Sequence, residues 1–220
     1  MRFLRIAIAA IGLVASAAFA SPADPKLGAE YVQLASPQPV QAVGKKVEVI
    51  EFFMYHCPHC YVLEPYLAEW VKKHGADVNF KRVHMPYSGV KDPEAHLFLT
   101  LEAMGKLEEF HTKVFKAIHV DRVRMSTDEV VIDWAVKNGI DKKKFMDTWS
   151  SFGVITKLNR LPTILNNYKI DSVPTLVIDG RFMTSPSVVD AVNKGMNEGA
   201  LSQATVQVLD AIVAKVAKTK

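Results

Sequence analysis

The sequence predicts an α/β fold whose sheet is interrupted by an all-helical subdomain. Three observations carry this: a strand-then-helix pair around residues 47–75, a hairpin at 175–183, and a long run of helical patterns between them. Val47 to Tyr55 (VEVIEFFMY) is β-branched and aromatic, the composition of a strand buried on at least one face. Pro58 suits the first turn of a helix, where its missing N–H costs nothing. Tyr61, Leu63, Leu67, Trp70 and Val71 carry the apolar pattern on to about His74-Gly75. Asp77 to Met85 is a second strand. A third begins at Thr175 (TLVID), and Asp179-Gly180 turns it into Arg181-Phe182-Met183. The roughly ninety residues between the second and third strands exceed what a crossover needs, so they form a unit of their own.

That unit reads as helical throughout. Asp92-Pro93-Glu94 opens a helix carrying Leu97, Phe98 and Leu101 up to Gly105, and Leu107, Phe110, Val114, Phe115 and Ile118 mark the next. Ser126-Thr127-Asp128-Glu129 has capping-box spacing ahead of Val130, Val131 and Trp134, and Gly139 ends that helix. Asp141 starts another with Phe145, Met146 and Trp149, followed by a short piece bearing Val154, Ile155 and Leu158. These stripes can bury one another as a subdomain. A last amphipathic helix, Ala204 to Ala217, turns Val206, Leu209, Ile212, Val213 and Val216 toward the sheet.

Composition narrows the function classes. With 220 residues, 49% of them apolar, the chain can bury a sizeable core, and two cysteines are too few for a disulfide-stapled miniature scaffold. The nominal charge of +4 is half due to Arg2 and Arg5, so there is no electrostatic case for nucleic acid as the main partner. Met1 to Ala20 (MRFLRIAIAAIGLVASAAFA) has the charged start, short apolar run and A-x-A end of a secretory signal peptide. Ser21 rather than Cys follows it, which removes a lipoprotein reading. The mature protein is expected in an exported, oxidising compartment.

Both cysteines lie in Cys57-Pro58-His59-Cys60. A bridge over so short a loop constrains the unfolded chain little, so it is a poor structural staple. A zinc site needs two more ligands, and although His56 and His59 flank the thiols, no second Cys pair or spaced His pair completes a set; no metal is expected. Haem attachment needs His directly after the second Cys, where Tyr61 stands. Dithiol/disulfide exchange remains. Cys57 falls at the helix N-terminus, where unpaired N–H groups and the positive dipole end favour a thiolate, and Cys60 lies one turn inside, more buried and less reactive.

These features together resemble the DsbA family of periplasmic thiol:disulfide interchange proteins: the leader, Glu51-Phe52-Phe53 before Cys57-Pro58-His59-Cys60, the helical insertion, and Ser172-Val173-Pro174-Thr175 before the last hairpin. The resemblance covers essentially the whole mature chain. It implies a thioredoxin-like fold with the helical subdomain inserted: a signal peptide over 1–20, a first thioredoxin-like part over 21–86, the insertion over 87–161 and a second part over 162–220. It implies a disulfide oxidase that donates the Cys57–Cys60 disulfide to newly exported proteins, needs no other cofactor, works as a monomer, and is reoxidised by a quinone-linked membrane partner of the DsbB kind.

Residue by residue, the resemblance makes Cys57 the attacking sulfur and Cys60 the resolving one. His59 helps hold the Cys57 thiolate through its charge or a hydrogen bond, and Pro58 starts the helix. The family also places a cis proline beside the dithiol. Val173-Pro174 matches it, with the Val173 backbone free to pair with an extended substrate. Glu51 shares a strand face with Val49 and Phe53. Its residue type alone favours a polar group on a wet face, whereas the resemblance makes it an acid beneath the dithiol that exchanges protons through water. Glu64 and Lys81 match a second family acid and a basic neighbour, but read as solvated surface charges. His74, His84, His96, His111 and His119 read as surface or satisfied core residues.

Two other classes stay open. A reductase or isomerase could use the same fold, although residues 21 to about 45 are too few for a dimerisation domain. A non-enzymatic periplasmic binding protein could use the same groove.

Overall fold

The computed structural model of the protein describes residues 21–42 and 44–220, and the leader read over 1–20 lies outside the described residues. The sheet forms around β2 (Val47–Phe53), whose seven residues are all buried. β2 pairs in parallel with β3 (Val78–His84) and antiparallel with β4 (Thr175–Ile178), which pairs with β5 (Phe182–Thr184). A two-residue strand, β1 (Val32–Gln33), closes the other edge on β5, giving the order β1-β5-β4-β2-β3. β1 is too short to carry a sequence pattern. The β4–β5 turn is the expected one: Asp179 (φ 53°) and Gly180 (φ 60°) are both left-handed, and a Cβ at 180 would strike the Gln38 carbonyl.

Helix α1 (Pro58–His74) and the C-terminal α8 (Glu198–Ala217) cover one face of the sheet. Leu63, Leu67 and Trp70 of α1 pack with Val208, Leu209 and Ile212 of α8 over Val47, Val49 and Ile178. Burying each such aliphatic side chain is worth roughly 1.5–3 kcal/mol, which outweighs the kink risk of Pro65 inside α1. α8 starts six residues earlier than its apolar pattern implied, because the Asn197 side chain accepts from the Ala200 N–H at 2.9 Å and sets the first turn. A short helix the sequence reading lacked, α7 (Pro186–Val192), is capped by Ser185.

The helical unit consists of α2 (Pro93–Ala103), α3 (Leu107–His119), α4 (Asp128–Lys137), α5 (Lys142–Trp149) and α6 (Phe152–Tyr168). Asp92, Thr127, Asp141 and Ser151 cap four of these helices through side-chain oxygens. The cap of α4 is thus Thr127, one residue later than the Ser126 box. The piece expected to be short is α6, seventeen residues long: its buried stripe Val154, Leu158, Leu161, Leu165 continues straight across residue 161, where the sequence reading ended the insertion. Leu165 joins Ile50, Phe52 and Val177 on the second sheet face, so one helix serves both the insertion and the sheet.

Candidate active site

Phe53 ends β2, and Met54, Tyr55 and His56 lead into Cys57, the N-cap of α1. The apolar strand brings the chain up through the core and Pro58 starts the helix at once, so residue 57 is placed where backbone donors are unspent. The Cys57 sulfur accepts from the Cys60 N–H at 3.4 Å, and lies 3.6 Å from the Val173 carbonyl, to which its S–H donates only in the protonated form. Both cysteines are free thiols. The Val173-Pro174 peptide is cis and its loop stands against Cys57, 116 residues away in sequence.

The two thiols differ in acidity. Donation from the Cys60 thiol, helped against burial by the Cys60 and His59 N–H groups and the His59 charge, pulls Cys57 down to about 6. Burial pushes Cys60 strongly upward, and the Cys57 and Glu51 charges add to this. At neutral pH Cys57 is therefore a thiolate beside a protonated Cys60, the division a nucleophile and a resolving thiol require. The His59 ring is exposed and pairs with Glu198 at the start of α8, Nδ1 to Oε1 at 2.7 Å, so its hydrogen bond goes to that carboxylate and not to the sulfur.

Beneath the dithiol, Glu51 is fully buried, which overturns the wet-face reading of its residue type. Its Oε2 accepts from Arg82 Nε at 2.9 Å, while Arg82 Nη2 reaches both oxygens of Glu64 at 3.1 Å. Glu64 is buried too, so it is not a solvated surface charge. The spacing from Cys60 and Leu67, four before and three after, already put it on the buried face of α1. Burial raises the pKa of both carboxyls against the opposing pull of Arg82. Lys81 is not their neighbour: it pairs with Glu48 at 2.8 Å on the other face of the sheet. In the parallel register Glu51 stands opposite Arg82 and Ile50 opposite Lys81, and a one-residue change of register exchanges the two faces.

Three of the histidines read as surface or satisfied core residues hold the loop that leads into Cys57. The Tyr55 N–H donates to His84 Nε2 at 3.2 Å, its carbonyl accepts from His119 Nε2 at 2.8 Å, and its hydroxyl pairs with His111 Nδ1 at 3.0 Å. His119 also stacks on Tyr61, centroids 4.7 Å apart. Burial lowers His84 and His111 to about 3, so both are neutral and serve as fixed partners of the loop that carries Cys57. For His111 the signal was its place between Phe110 and Val114-Phe115 on one helical stripe.

A family model for the DSBA-like thioredoxin domain matches residues 92–197, which include the helical unit and Pro174 and begin after the dithiol. The thiol:disulfide interchange protein DsbA of Burkholderia cepacia is 39% identical over 219 residues, covering 100% of this chain and 99% of that protein. The DsbA of Pseudomonas aeruginosa is 39% identical over 159 residues, 72% of this chain and 75% of its own. A crystal structure of the Pseudomonas aeruginosa DsbA matches with a TM-score of 0.77 and 34% identity, over 90% of this chain and 98% of that one.

Proposed function

The chain belongs to the DsbA family and is a thiol:disulfide oxidoreductase, and from that premise we propose that it oxidises exported proteins in the periplasm, with Cys57 the exchanging sulfur and Cys60 the resolving one. In the disulfide form, a substrate thiolate attacks Cys57, and a substrate–Cys57 disulfide forms as the Cys57–Cys60 bond breaks. Cys60 leaves as a thiolate and takes up a proton. A second substrate thiol, deprotonated, then attacks the substrate sulfur of that mixed disulfide, and Cys57 departs as the thiolate its surroundings favour. Two electrons pass from the substrate dithiol to the Cys57–Cys60 pair, which serves as the redox centre.

The observation that carries this reading is the placement of the two sulfurs: Cys57 caps α1 beside the Val173 carbonyl and accepts the Cys60 N–H, while Cys60 is fully buried, so the sulfur at 57 is the better leaving group and drives the disulfide toward the substrate. Glu51, one of whose carboxyl oxygens is buried with no hydrogen-bond partner among the described residues, exchanges a proton with Cys60 in this reading. Val173 supplies backbone groups for an extended substrate, Pro174 shapes that loop, Pro58 starts α1 and His59 adds positive charge beside Cys57. Export follows cleavage after Ala20, residues 21–86 and 162–220 act as one thioredoxin-like unit around the insertion, and a monomer is recharged by a quinone-linked DsbB-like membrane protein. Equilibration with glutathione tests the direction of the chemistry. A strongly oxidising couple that also oxidises a reduced dithiol peptide supports the oxidase, and a couple as reducing as thioredoxin's overturns it in favour of a reductase.

A further inference from the structure

A second histidine–carboxylate pair stands next to the dithiol, joined to α2 where His59 is joined to α8. His56, the residue before Cys57, sends its ring Nδ1 to Glu94 Oε2 at 2.8 Å, and its backbone N–H donates to the same oxygen at 3.2 Å. Glu94 is buried in the first turn of α2, where the helix dipole favours an anion. Tyr87, itself 80% exposed, lays its ring edge-on to His56 at 5.3 Å. The other charged or titratable groups about this ring are Asp92 at the cap of α2, His84 of β3, whose Nε2 is 4.0 Å from Glu94 Oε2, and Cys57 itself. One carboxylate oxygen thus fixes both the backbone and the ring of His56, tying the loop that carries Cys57 to the insertion.

We propose that His56, clamped by Glu94, is a positioning residue for the exchange reaction: a ring held on the insertion side next to Cys57, whose charged form stabilises the attacking thiolate. This rests on Cys57 being the exchanging sulfur. The hydrogen bond from Glu94 raises the pKa of His56 against partial burial, with Asp92 and the Cys57 charge adding to it. His56 and Cys57 therefore support each other's charged forms, while the neutral His84 contributes no charge. Sequence reading could not reach this pair, because His56 and Glu94 are 38 residues apart and meet only when α2 packs against the loop.

Titration of the Cys57 thiolate, followed by its ultraviolet absorbance and by alkylation rate against pH, tests the proposal, with the glutathione equilibrium as a second readout. His56→Gln is expected to raise the Cys57 midpoint by about half a unit, and to make the couple roughly threefold less oxidising at pH 7. Glu94→Gln, which keeps an oxygen for the backbone N–H, is expected to shift both in the same direction. His56→Lys restores a charge and is expected to return the midpoint toward that of the parent. A midpoint unchanged in His56→Gln, or raised equally in His56→Gln and His56→Lys, overturns the inference. A parent protein whose Cys57 titrates in the ordinary thiol range overturns the assignment of the exchanging sulfur instead.

Discussion

Glu51 and Arg82 face each other across the parallel β2–β3 pair, Oε2 to Nε at 2.9 Å, both almost wholly out of solvent. Arg82 is shared with Glu64, so a single guanidinium compensates two buried carboxyl groups beneath the dithiol. Removing that charge leaves both acids uncompensated. Arg82→Gln is expected to destabilise the protein by about 3–5 kcal/mol in urea unfolding at pH 7, with part of the loss recovered at pH 4 as the acids take up protons. A loss that did not change with pH would mean that packing, and not charge, is what Arg82 supplies.

The two sulfurs are expected to separate in a trapping experiment. Cys60→Ser leaves the Cys57 thiolate able to attack a disulfide of an oxidised substrate protein, releasing one substrate sulfur as a thiolate, and removes the neighbouring thiol that would displace Cys57 again, so the mixed disulfides accumulate. Cys57→Ser, with only the buried Cys60 thiol left, is expected to form at least tenfold fewer on the order-of-magnitude difference in thiolate share. Gel mobility with and without reductant reads both, and equal adducts from the two variants contradict the assignment.

Thiolate stabilisation at Cys57 is linked to folding. Its folded pKa of about 6 lies below its unfolded value, so the contribution is full above the unfolded pKa and is lost as pH falls through about 6. The disulfide form has no thiolate and lacks this dependence. The stability of the dithiol form relative to the disulfide form is therefore expected to fall by on the order of 2 kcal/mol between pH 8 and pH 5. Paired denaturation curves check this, and a difference independent of pH rules it out.

His84 and His111 give the fold an acid limb of the opposite origin. Both are held neutral with pKa values of about 3, so below the unfolded histidine pKa the unfolded chain binds protons that the native one refuses. Stability is lost progressively as pH drops toward 3, and the raised carboxyls Glu51 and Glu64 partly offset it because they favour the folded state on acidification. His111→Gln is expected to lower stability at pH 7 by about 1–3 kcal/mol through its lost pairing with Tyr55. It should also flatten the slope between pH 6 and pH 4, a change that thermal melts across that range resolve.

Short-range chemistry was legible along the chain. Strand composition before Cys57, Pro58 at the helix start, the Asp179-Gly180 turn, the helical periods of the insertion and the division between an outer and an inner thiol all depend on residues a few positions apart. Which charges meet depended on the packed fold. Arg82 and not Lys81 reaches Glu51, because a strand's side chains alternate and the register across a neighbour cannot be counted from one strand. The Tyr55 loop is held by His84, His111 and His119, and His56 by Glu94, through contacts spanning 29 to 64 residues. A buried polar group must find a partner, but which partner it finds is settled only when the helices pack and water is excluded.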